Sequence, residues 1–139
     1  MSDALQATIL GSCFCGAVSV SLPSPLRTPV NCHCGQCRRL SGAAWTTWIT
    51  AAREHTVLHG AEHLTAFDVT ANVRRHFCNR CGSHVMTEDR RLLAVYGMPA
   101  GLFEGVEIEA PKRDYFLEDK VPWADVPHDD ATTGATNAP

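Results

Sequence analysis

The stretch Cys32-His33-Cys34-Gly35-Gln36-Cys37-Arg38-Arg39 sets three thiols within six residues. Such a cluster fixes the chemistry that the rest of the chain must serve. Working outward, Cys78-Asn79-Arg80-Cys81 is a CxxC knuckle, and Gly82 beyond it lets the backbone turn so that amides face the thiols. Toward the N-terminus, Cys13-Phe14-Cys15 adds a further pair. The total is seven Cys in 139 residues, an odd number. Cys13 and Cys15, like Cys32 and Cys34, are separated by one residue, a spacing unsuited to ordinary bridges. Thiols clustered in this way point to a soft metal, with zinc the foremost candidate.

A closed structural zinc site takes four ligands, whereas a catalytic one takes three and keeps a position open. Seven divides into four and three. The spacing favours Cys13 and Cys15 with Cys78 and Cys81, which leaves Cys32, Cys34 and Cys37 as an open triad. The alternative joins Cys32 and Cys34 to the knuckle and leaves Cys13 and Cys15 with only Cys37 as a third partner.

Composition narrows the setting. The net charge is −3 with a pI near 6.1, and of twelve basic residues only Lys112 and Lys120 are Lys. Nucleic-acid binders normally carry a basic face, so no nucleic-acid partner is expected. No apolar run approaches the roughly 18 residues of a membrane span, and Met1-Ser2-Asp3-Ala4-Leu5 lacks the basic start of a signal peptide. The expectation is a cytoplasmic protein without a membrane partner.

The organisation reads as mainly β, with one domain over residues 1–126 and a disordered tail over 127–139 too polar to offset its ordering entropy. Strands are predicted at 7–10, 17–22, 28–31, 43–50, 54–58, 64–69, 73–77, 91–96 and 106–110, with a turn at Gly97. Arg38 to Ser41 reads as one helical turn stopped by Gly42. Pro111 to Trp123 reads as a surface run that pins an aromatic or two onto the body.

Three motifs in order, Gly11-Ser12-Cys13-Phe14-Cys15-Gly16-Ala17-Val18, Cys32-His33-Cys34-Gly35-Gln36-Cys37-Arg38-Arg39 and Phe77-Cys78-Asn79-Arg80-Cys81-Gly82-Ser83, resemble the glutathione-dependent formaldehyde-activating enzyme family. Centromere protein V belongs to the same superfamily. The resemblance runs over roughly residues 9 to 125. It implies a β-tent fold of antiparallel sheets organised around a zinc site. It also implies a structural zinc on Cys13, Cys15, Cys78 and Cys81, and a second, catalytic zinc on Cys32, Cys34 and Cys37. The reaction implied is that of a carbon–sulfur lyase: glutathione and formaldehyde in exchange with S-hydroxymethylglutathione.

The triad suits that chemistry, because zinc held by three thiolates accepts another sulfur and keeps it deprotonated at neutral pH. The partners expected are a small thiol such as glutathione and a small electrophile. Candidate substrate contacts are Arg38, which can grip a carboxylate through two parallel hydrogen bonds, Gln36 through its amide, and Trp45 as a wall. Cys37 leaving the metal to act as a nucleophile is an alternative. So are a labile triad serving storage or redox chemistry, a lyase for another carbon–sulfur adduct, and a zinc module that binds a protein. A relative of methionine sulfoxide reductases is a weaker fit, since the motifs mark no recycled nucleophile. His33 should point away from the metal and support the site from behind, and His84 is a candidate acid–base group. Arg74 and Arg75 must face opposite ways on a strand, so at most one reaches a given pocket.

Overall fold

The computed structural model describes residues 7–126, so the proposed tail at 127–139 lies outside the described residues. Small β-branched strands and turn glycines divide the chain into two sheets. The smaller has the order β1 (Thr8–Ser12), β2 (Ser19–Pro23), β5 (Val57–His59), all antiparallel. Val20 and Leu22 point inward from β2 while Ser19 and Ser21 lie toward its outer side, the period-two pattern read from the sequence.

The larger sheet has seven strands. Besides β3 (Val30–Cys32) and β4 (Thr46–Ala52) it contains β6 (Leu64–Asp68), β7 (Val73–Cys78), β8 (His84–Asp89), β9 (Val95–Pro99) and β10 (Asp114–Tyr115). Their order is β10-β3-β4-β9-β8-β7-β6, antiparallel except for the parallel β10–β3 pair. The one α-helix among the described residues, α1 (Gly35–Ser41), is longer than the single turn expected. Gly42 ends it in the left-handed conformation, φ 72°, donating its N–H to the Arg38 carbonyl.

Two apolar clusters lie on the two sides of β4. Ile49 and Ala51 face the core shared with Val18, Val20 and Leu22, and Cys13 and Cys78 belong to that core. Trp48, on the other side, packs with Cys32, Cys37 and Tyr115. The paired cysteines and the triad are thereby separated by the sheet itself.

Four sequence expectations need correction. The later strand expected at 91–96 is shifted: Asp89 accepts from the backbone N–H and guanidinium of Arg91, folding a turn there, and the strand, β9, begins at Val95. Gly97 consequently sits inside β9, paired with Thr50 and Thr87, instead of turning. Residues 106–110 form no strand; Val106 and Ile108 pack onto the core from an unpaired extended segment. Finally, 111–123 pins an aromatic, Tyr115, onto the body as expected, but it does so as a buried strand, β10, that also buries Asp114, while Trp123 is exposed.

Candidate metal centres

The turn after β1 carries Cys13 and Cys15, β7 ends on Cys78, and the turn after it carries Cys81. Their four sulfurs all lie within 4.8 Å of one another. Cys15 Sγ is 3.7 Å from both Cys13 Sγ and Cys78 Sγ. A tetrahedral zinc with Zn–S bonds of about 2.3 Å sets its sulfurs about 3.8 Å apart, so these four fit such an ion. Backbone N–H groups of Val18 and Arg80 donate to Cys13 Sγ and Cys78 Sγ at 3.3 and 3.4 Å. The Phe14 N–H donates to Ser83 Oγ, tying one turn to the other. The favoured pairing is the one the fold brings together, and the alternative with Cys32 and Cys34 on the knuckle is not.

Cys32, Cys34 and Cys37 form the second group, again with sulfurs mutually within 4.8 Å. β3 ends on Cys32; Cys34 caps α1, accepting the Cys37 N–H at 3.4 Å; and Cys37 lies in the first turn. Cys32 and Cys37 are fully buried, whereas Cys34 is half-buried. Hydrogen bonding from Cys32, then Cys37, pushes the Cys34 thiol down to about 2. Cys32, hydrogen-bonded to Cys34 and buried, is pushed far above the ordinary thiol range. Three sulfurs, with no fourth ligand grouped with them among the described residues, suit a metal with an open coordination position.

The loop is braced from behind. His33 turns away from the sulfurs, as expected, and its Nε2 lies 2.7 Å from Asp114 Oδ1, both side chains fully buried. Asn31 Nδ2 donates to the same carboxylate oxygen, and Thr47 donates to Asn31 Oδ1 at 2.7 Å. The His33 N–H donates to the Tyr115 carbonyl. Asp114 and Tyr115 thus anchor the triad loop; Tyr115 is one of the aromatics that run was expected to pin, whereas nothing marked Asp114 beforehand.

The sequence candidates fall around the triad in different ways. Arg38 is half-buried and donates its Nε to the His33 carbonyl at 3.0 Å, while Gln36 is exposed. Trp45 tilts over the His33 ring at a centroid distance of 5.1 Å. His84 sits edge-on to Trp48, with Nε2 2.9 Å from Thr87 Oγ1; burial, then the Arg75 charge, pushes it down to about 4. Of the two arginines on β7, Arg74 faces outward to Asp68, whereas Arg75 is buried and reaches Cys37.

A cleft of about 290 Å³ adjoins this region, lined in part by Arg27, Val30, Thr50, Thr87, Tyr96 and Tyr115. Val30 and Tyr115 belong to the cluster that buries Cys32 and Cys37. Gly97, paired with Thr50, is among its lining residues.

Comparison with known proteins agrees with these motifs. Residues 8–119 match the glutathione-dependent formaldehyde-activating enzyme family. A protein of Halomonas elongata, provisionally named as a glutathione-dependent formaldehyde-activating enzyme, is 32% identical over 124 residues, covering 84% of this chain and 79% of the relative. A crystal structure of a Rhodobacter sphaeroides protein superposes with a TM-score of 0.61 at 27% identity, over 74% of this chain and 98% of that one. With the match extending from β1 to the segment after β10, the chain belongs to the glutathione-dependent formaldehyde-activating enzyme family.

Proposed function

We propose that the protein is a zinc-dependent carbon–sulfur lyase that joins and splits the adduct of a small thiol and a small aldehyde. Glutathione, formaldehyde and S-hydroxymethylglutathione are the leading set. The observation that carries this reading is the separation of seven thiols into a group of four and a group of three. In it, Cys13, Cys15, Cys78 and Cys81 hold a structural zinc, and Cys32, Cys34 and Cys37 hold a catalytic one. Bound by three thiolates, zinc supplies an open position at which a thiol is held as its thiolate.

The chain's own residues orient the reaction. Trp48 and Tyr115 keep water from the inner side of the triad. Arg38 and Gln36, beside Cys37 in α1, take the charged ends of the thiol, and Trp45 closes one side. The substrate's sulfur attacks the aldehyde carbon, the carbonyl electron pair moves to oxygen, and a proton from solvent completes the hydroxymethyl group. A reducing, cytoplasmic setting, which keeps the thiols free, goes with this reading.

The test is exchange spectroscopy with ¹³C-formaldehyde and glutathione, or 2-mercaptoethanol, in the presence of the zinc-loaded protein. Exchange faster than the uncatalysed background is expected with glutathione. Arg38→Ala should weaken glutathione use roughly thirtyfold, the equivalent of about 2 kcal/mol for a charge-assisted contact, and leave 2-mercaptoethanol almost unaffected. No acceleration with either thiol would overturn the proposal.

A further inference from the structure

Arg75 is the least expected charge in the molecule. It is only 4% exposed, although guanidinium groups are rarely buried without a counterion. Its Nη2 lies 3.6 Å from Cys37 Sγ, and its guanidinium sits 5.2 Å from the centre of the Trp48 ring. Nε and Nη1 have no hydrogen-bond partner among the described residues. The strand register explains how a residue of β7 arrives there. Arg75 is opposite Thr87, Thr87 opposite Gly97 and Gly97 opposite Thr50, one row across the sheet, and Trp48 shares the Thr50 side of β4. Beyond Arg75, the Thr87, Gly97 and Thr50 of that row line the cleft.

The charges of the two partners match. Three thiolates around a divalent cation leave one net negative charge, and an incoming thiolate adds another. In an interior of low dielectric, each uncompensated charge is costly. Arg75 supplies the balancing positive charge at a fully buried sulfur. We infer that Arg75 is a positioning residue of the triad: through Cys37 it offsets the charge of the loaded site, so that a fourth sulfur can enter as a thiolate. Trp48 holds the guanidinium by its ring face and screens it from water. Thr87 and Gly97, next along the row, line the cleft in which the rest of the thiol would lie.

This inference rests on the proposed function, in that the triad must hold the metal. Cobalt(II) substitution in the full chain separates the two, because sulfur-to-cobalt charge-transfer absorption reports each ligated sulfur directly. The wild-type protein loaded with two cobalt equivalents is titrated with 2-mercaptoethanol at fixed pH and followed by that absorption. Arg75→Met should bind the thiol at least tenfold more weakly, while Arg75→Lys, which keeps the charge, stays within about threefold of wild type. If Arg75→Met does not fold, Arg75→Gln carries the same expectation. A neutral variant that binds 2-mercaptoethanol as tightly as wild type would overturn the role of Arg75 alone. A wild-type triad that takes up no second cobalt would overturn the functional reading and this inference with it.

Discussion

His33 and Asp114 show how much of the triad's geometry depends on residues that are not ligands. Both are fully buried, and their contact fixes the loop between Cys32 and Cys34 against β10. Removing the Asp114 carboxylate leaves the His33 ring buried without the partner of its Nε2, a loss of about 3 kcal/mol. Asp114→Ala should therefore lower urea-unfolding stability by about that amount, and Asp114→Asn, which keeps an acceptor oxygen, by clearly less. Equal, small losses in both variants would make the contact incidental. The outward turn of His33 was legible because it stands between two candidate ligands. Asp114 was not, since one aspartate among many acidic residues has no local signature. Arg75 was visible only as one of a pair facing opposite ways, and which one faced inward depended on the register of β7.

At the scale of elements, hydrophobic alternation marks a half-buried face without saying whether a partner strand exists. Residues 106–110 alternate well yet only lay Val106 and Ile108 on the core. Strand β8 gives the opposite lesson. It has neighbours on both sides and is buried at Val85, Met86, Thr87 and Asp89, so alternation is lost and it escaped notice. The turn at Gly60 is more tightly specified. With φ 78°, a Cβ there would lie 1.9 Å from the Ala17 carbonyl oxygen, whereas Gly105, φ 73°, has nothing within 4 Å. Gly105→Ala should cost about 1 kcal/mol for its left-handed backbone alone. Gly60→Ala should cost at least about 2 kcal/mol more, because the backbone at Ala17 must move. Thermal melts of the two variants check this, and indistinguishable melts would mean the approach at Ala17 is soft.

For the molecule as a whole, the cysteine motifs in the sequence carried the family, the mainly β fold and the division of the thiols into two groups. What they could not carry was the placement of those groups on opposite sides of one sheet. Cys13 and Cys78 lie in the core that joins the two sheets, so a metal there contributes to folding itself. Cys37 lies in a smaller cluster at the end of the large sheet, where a metal contributes less to stability. Cys81→Ser should give strongly destabilised or insoluble protein. Cys37→Ser should give a folded chain. The most direct test of the account is native mass spectrometry of protein purified and reconstituted without oxygen. It should find two zinc ions per wild-type chain and one in Cys37→Ser. A wild-type protein that never holds more than one zinc, or a Cys81→Ser protein that folds cooperatively with undiminished zinc, would contradict it.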